Sequence, residues 1–186
     1  QVRKAVGRIA NLEEILEKES LFAHTGIGHT RWATHGAPSD VNAHPHCNMG
    51  CTVAVVHNGI IENYVELREW LTKDYGVVFK SDTDSEVIAH LVSVYYDGDL
   101  EDAVFKTIEK MRGAFSVGVV CAQEPDKIVA FRRDAPLIAG MGKAANFIAS
   151  DIQALLKNFR EIYLIENNEM VVLAKDQVNI YNQDRK

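Results

Sequence analysis

An arginine, an Asn-Gly pair and an aspartate are the residues of this sequence whose types and spacing could do chemistry. Arg31 lies in a β-prone run crowded with polar groups, His29-Thr30-Arg31-Trp32-Ala33-Thr34-His35-Gly36. Its planar guanidinium matches a carboxylate through two parallel hydrogen bonds, and Trp32, Thr34 and His35 supply an apolar wall and further donors. The same arginine also reads as a surface or salt-bridge residue. Asn58-Gly59 ends a short apolar run and reads in two ways. It is either a hairpin turn, or an amide and a backbone N–H aimed at one spot, as the oxyanion of an acyl-transfer intermediate requires. Asp84, in Ser81-Asp82-Thr83-Asp84, suits a helix N-cap and equally offers a carboxylate to an ammonium group. Together these groups would recognise an amino acid whose side-chain carbonyl is attacked.

A second cluster suggests metal instead. His44, His46, Cys47 and Cys51 lie close together and have the chemistry of zinc ligands. Against zinc, His44-Pro45-His46 has no helix to align its rings, and no second knuckle follows. Cys47 and Cys51 flank a buried run in which cysteine serves as a small hydrophobe, and Cys121 reads as core. None of the three cysteines has an activating neighbourhood, so no metal and no cofactor is assigned.

These residues need elements to hold them. Residues 52–56, TVAVV, read as a strand buried on both faces. Asn11 with Glu14 fits a helix start ahead of an apolar stripe of Leu12, Ile15 and Leu16. Asn63 with Glu66 resembles a capping box, after which Tyr64, Leu67 and Leu71 recur at helical spacing until Gly76. A helix opened by Asp84 presents Val87, Ile88, Leu91, Val92 and Tyr95, and a third over 99–112 turns Leu100, Val104, Ile108 and Met111 inward, with Gly113 as its stop. The period then changes to that of strands at 114–121, 127–132, 136–140, 146–150, 161–165, 170–173 and 177–181, with one short helix near 151–157. Helices between two strand sets imply an α+β domain of antiparallel sheets with helices outside.

The whole composition agrees with one such domain over 186 residues, 47% hydrophobic and 25% charged. A net charge of −6 supplies no basic excess for a phosphate backbone, so nucleic acid is not an expected partner. No run of apolar residues is long enough to span a membrane. Three cysteines are too few for a disulfide scaffold and suit a reducing, cytoplasmic setting.

The motifs His29–Gly36, Asn42-Ala43-His44-Pro45-His46, Val56-His57-Asn58-Gly59-Ile60-Ile61-Glu62-Asn63, Thr83-Asp84-Ser85-Glu86 and Asn146-Phe147-Ile148-Ala149-Ser150-Asp151 closely resemble one family. It is the glutaminase domain of the glutamine:fructose-6-phosphate aminotransferases, or glucosamine-6-phosphate synthases, class II amidotransferases with an N-terminal nucleophile. The resemblance covers essentially the whole chain. It implies an N-terminal-nucleophile hydrolase αββα sandwich, two antiparallel sheets between helical layers. It also implies release of ammonia from L-glutamine for conversion of fructose 6-phosphate to glucosamine 6-phosphate, the entry to amino-sugar synthesis. By the same resemblance Arg31, with Thr34 and His35, binds the glutamine α-carboxylate, and Asp84 with Gly59 holds the α-amino group. Asn58 and Gly59 form the oxyanion hole and Trp32 gates the ammonia route, while His44, Glu62 and Asn63 lie near the site without an assigned role.

One departure follows from the same comparison. The family's nucleophile is a cysteine at the first position of the mature chain, whose α-amino group, of pKa about 7.7–8.0, can take the thiol proton. This sequence starts at Gln1, at a point that resembles the interior of the family's domain, and Cys47, Cys51 and Cys121 fall elsewhere. Residues 1–186 are therefore expected to be a single amidotransferase domain lacking its first elements, and inactive alone. The sugar isomerase domains that take fructose 6-phosphate, and with them a homo-oligomeric whole enzyme, are expected outside these residues. The alternatives are a glutaminase domain serving another acceptor, and a glutamine-binding module without a nucleophile.

Overall fold

The computed structural model describes residues 1–19, 21–31, 36–156, 159 and 161–186. Helix α1 (Ile9–Lys18) leads to the two-residue strand β1 (His46–Cys47) and the long strand β2 (Val53–Gly59). Three helices follow, α2 (Tyr64–Tyr75), α3 (Glu86–Tyr95) and α4 (Leu100–Lys110). Strands β3 (Phe115–Cys121), β4 (Glu124–Arg133), β5 (Ile138–Met141) and β6 (Asn146–Ala149) come next, then the short helix α5 (Gln153–Leu156). Strands β7 (Glu161–Leu164), β8 (Met170–Ala174) and β9 (Val178–Tyr181) end the chain. Among the described residues they form one antiparallel sheet ordered β1-β2-β3-β4-β8-β9 and a second ordered β6-β5-β7.

Alternation along the strands assigns the layers. Val53, Val55, Val117, Val119, Val129, Phe131 and Val172 share one core with Leu91, Val104 and Ile108 of the helices, so α2 to α4 cover one face of the large sheet. The opposite face contributes Ala130, Val171 and Leu173 to a second core with Leu137, Ala139 and Ile165, which joins the two sheets. Leu155 of α5 and Phe159 lie against Gly140 on the far side of the small sheet. Helix, sheet, sheet and helix thus succeed one another, as the α+β reading expects. Complete burial of an aliphatic side chain contributes about 1.5–3 kcal/mol, and the first core, which holds most of them, is the main source of stability.

Several boundaries differ from expectation for identifiable reasons. Strand β2 continues beyond Val56 through His57, Asn58 and Gly59 because all three stay in register with Val117, Ser116 and Phe115. It is buried on the helix side and half-buried on the other, rather than buried on both. Helix α1 begins at Ile9 after Arg8, since the Asn11 amide donates to Val6 O at 2.8 Å instead of capping, and no residue of this helix is buried. Asn63 and Glu66 make no capping box. The Asn63 amide donates to Lys110 O at 2.9 Å and accepts from Arg112 N at 2.8 Å, and Glu66 pairs with the Arg112 guanidinium at 2.9 Å. Asp84 does not cap α3, for its Oδ2 accepts from Ile61 N at 2.8 Å. Gly113 is not the stop of α4, which ends at Lys110. Its φ of +120° brings the backbone so near Ile60 that a Cβ would stand 2.2 Å from Ile60 O.

Candidate functional site

The site is built around the end of β2. Asn58 faces the second sheet beside Val56, opposite Ser116 and Gly118 of β3. Gly59 is no hairpin turn, because it stays paired with Phe115 while the chain continues to Ile60. Its φ is +114°, and a Cβ there would lie 2.1 Å from Ala114 O, so the strand can leave the sheet at this point only through a glycine. A cavity of about 120 Å³ opens between the sheets, lined by His29, Val56, Asn58, Ser116, Gly118 and Ile148 among others.

His29 gives the Asn58 amide its direction. Its Nε2 lies 2.8 Å from Asn58 Oδ1, and because an amide oxygen only accepts, Nε2 must carry the proton. The Asn58 Nδ2 donors are left with no acceptor among the described residues, which is the state an oxyanion site needs before substrate arrives. The sequence reading did not assign His29 a role. The available signal was its two-residue spacing from Arg31, which in an extended run places both on one side.

Behind His29 stands a row of imidazoles. The His44 ring lies 4.1 Å from that of His29 and 4.9 Å from that of His46, centroid to centroid. Both His44 nitrogens are buried without partners among the described residues. Burial first, and then the charges of His29, His46, His57 and Arg31, push its pKa down to about 2. His46, which meets the Thr83 hydroxyl at 3.2 Å, is lowered to about 4, mainly by burial. His57 is lowered to about 4 by burial, against the opposing pull of Asp84. These rings are neutral at pH 7.

Asp84 is 6% exposed and stands where the 81–85 turn meets the exit of β2. Through Ile61 N its carboxylate is tied two residues beyond Gly59. His57 Nδ1 lies 2.8 Å from the Ser85 hydroxyl, whose oxygen is 3.5 Å from Asp84 Oδ1. Arg31 is half-buried, and its Nη2 donates to Gly36 O at 3.0 Å. The charges of Arg31 and Asp84 act on His46 with opposite sign. Trp32, Thr34 and His35 lie outside the described residues. Glu62 donates its backbone N–H to Arg112 O, and Asn63 brackets α2 and α4, so both serve the frame. Among the described residues no group of three His, Cys, Asp or Glu side chains is placed to hold a metal ion.

What the arrangement offers is a neutral amide donor, a strand end open to close approach, and a cation and an anion for the two ends of an amino acid. Comparison with known proteins points the same way. A family model described as glutamine amidotransferase domain matches residues 29–157. The glutamine–fructose-6-phosphate aminotransferase (isomerizing) of Clostridium tetani is 55% identical over the whole chain, and that of Aquifex aeolicus 50% identical over 97% of it. The chain spans about 30% of the length of these curated relatives. Among solved structures, the glutamine phosphoribosylpyrophosphate amidotransferase of B. subtilis superposes with a TM-score of 0.68 at 23% identity, over 83% of this chain and 34% of that one. At that identity the likeness shows the fold, two antiparallel sheets with flanking helices.

Proposed function

This chain belongs to the glutamine amidotransferase domain family, and from that premise we propose that it forms the glutamine-binding part of a glutaminase. The ammonia released would serve an isomerising glutamine–fructose-6-phosphate aminotransferase, the activity named for the relatives. The Arg31 guanidinium takes the substrate α-carboxylate, aided by Thr34 and His35, and Asp84 with Gly59 takes the α-amino group. Trp32 closes the ammonia route. Asn58 Nδ2 and Gly59 N–H then face the side-chain carbonyl, where attack turns the oxygen into an oxyanion that two donors stabilise. The observation that supports this reading is the 2.8 Å contact from His29 to Asn58 Oδ1, which occupies the amide's acceptor end and leaves its donors for substrate, with both residues lining the cavity.

None of the three cysteines fits the nucleophile's part. Cys121 is buried with its thiol 3.0 Å from Gln123 Oε1, Cys47 and Cys51 face each other at the β1–β2 turn, and none lines the cavity at Asn58. The 186 residues alone are therefore expected to bind glutamine without hydrolysing it, and glutamate release above a protein-free control would refute this. No helix among the described residues is long and apolar enough to cross a membrane, and we place the reaction in the cytoplasm, where unpaired thiols persist.

Calorimetric titration with L-glutamine tests the site itself. Arg31→Ala removes a bidentate charged contact and Asp84→Asn the ammonium's counter-charge, so each is expected to weaken binding about tenfold or more. Unchanged affinity in both variants would remove the amino-acid site.

A further inference from the structure

Cys47 and Cys51 take no part in the glutamine site, yet the fold brings their sulfurs to 2.9 Å, the Cys51 thiol donating towards Cys47. That is about 0.9 Å longer than a disulfide bond. The approach is built by the turn. Cys47 ends β1 opposite Ala54, and Cys51 closes the turn by donating its N–H to Asn48 O at 3.0 Å. Cys51 holds a φ of +51°, a left-handed conformation uncommon for a residue with a side chain.

Asn48 holds this geometry whether or not the sulfurs are joined. Its Oδ1 accepts from Thr52 N at 2.8 Å and Val53 N at 3.0 Å. Its Nδ2 donates to the Thr52 hydroxyl at 3.0 Å and, across to α3, to the Ser93 hydroxyl at 2.9 Å. The turn is thus anchored to the helix layer by a residue 8% exposed. Cys51 is exposed and Cys47 half-buried behind it, an order of access in which one thiol meets a reagent first and the other resolves.

We propose that Cys47 and Cys51 are a thiol–disulfide exchange site that takes a low-molecular-weight disulfide as its oxidant. The Cys51 thiol loses its proton to solvent and the thiolate attacks one sulfur of R–S–S–R, expelling one thiolate that protonates to RSH. Cys47, deprotonated in turn, attacks the Cys51 sulfur of the mixed disulfide and expels the second RSH. The two protein thiols are oxidised to one disulfide and the external disulfide is reduced to two thiols. The Cys47 thiol is pushed up to about 12 by burial first, then by the hydrogen bond and charge of Cys51. Capping Cys51 removes the last two causes while burial remains, so closure by Cys47 is expected to be the slower of the two steps.

The test is equilibration of the purified chain with oxidised and reduced glutathione, followed by alkylation and peptide mass spectrometry. The peptide holding both residues is expected to lose two hydrogens and escape alkylation, while Cys121 is alkylated after unfolding, and excess reduced glutathione should restore both thiols. Cys47→Ser should trap a stable glutathione adduct on Cys51. Three result patterns in the wild-type chain would overturn the proposal: both thiols staying alkylatable at every ratio, a persistent adduct on Cys51 without internal closure, or a disulfide between two chains. The decisive readout is on the wild-type chain, so a variant that misfolds does not blunt it.

Discussion

A carboxamide has a donor end and an acceptor end, and an oxyanion can use only the donors. In Asn58 the choice is made by His29, whose Nε2 proton occupies Oδ1 at 2.8 Å. A net hydrogen bond of this kind contributes about 0.5–1.5 kcal/mol, and here that energy opposes rotation of the amide into the wrong orientation. His29→Leu is therefore expected to weaken glutamine binding about three- to tenfold in calorimetry. His29→Gln, whose own amide can donate to Oδ1, should recover most of the loss. Equal affinity in wild type and His29→Leu would dismiss the orienting role. The prediction separates His29 from Arg31 and Asp84: those are proposed to touch substrate, whereas His29 acts through Asn58.

The elements that carry these side chains are held by polar residues acting over long distances in sequence. Asn63 is the clearest case, since a side chain 8% exposed joins the start of α2 to Lys110 O and Arg112 N beyond the end of α4. Removing it leaves a part-buried donor and acceptor unpaired, so Asn63→Ala should destabilise the chain by about 1–3 kcal/mol in urea titration; a change below about 0.5 kcal/mol would mean that water replaces both bonds. This also shows why the sequence is readable in some places and not in others. The interiors of α2, α3 and α4 are legible because Leu67 and Leu71, Val87 to Val92, and Leu100 to Ile108 repeat at helical spacing. Their starts are less so, because an Asn or Asp before a helix looks like a cap whether it bonds its own helix or, as Asn63 and Asp84 do, another segment. Asp99, which accepts from Glu101 N and Asp102 N, does cap its own helix. Strand β1 has two residues and no period to read. Asn58 and Asp84 stand out in the sequence by chemical type, and the structure brings both to the end of β2. The His29 contact does not stand out, because it depends on where a segment without regular structure meets β2.

At the scale of the whole molecule, the consequence of the layered packing is a set of imidazoles sealed between elements as neutral rings. His44, His46 and His57 are 9%, 3% and 4% exposed, and burial is the first cause of the lowered pKa in each. In the unfolded chain each returns to an ordinary value near 6.5. The folded values, about 2 for His44 and about 4 for His46 and His57, lie below the unfolded one, so at pH between them the unfolded state binds more protons. Stability from this source is complete above about pH 6.5 and is lost as the pH falls, down to about 4 for His46 and His57 and on to about 2 for His44. Glu86 adds a second loss in the same direction at lower pH. Burial would raise its pKa, but His90, Ser81 and the Lys80 and Ser81 N–H groups outweigh this and hold it at about 2, so its contribution fades only below the ordinary carboxylate range. Above about pH 5 the histidine effect stands alone. Near pH 5.5 the glutamate is ionised in both states, while the three histidines are mostly protonated only in the unfolded one, so unfolding should take up about 2–3 protons. Urea titrations across pH 5 to 6.5 measure this directly from the slope of unfolding free energy with pH. Alanine at His44, whose ring nitrogens have no partner among the described residues, should lower the uptake by about one proton. A flat profile over that range would mean that the rings take up protons inside the fold, and the neutral character assigned to the site would have to be abandoned.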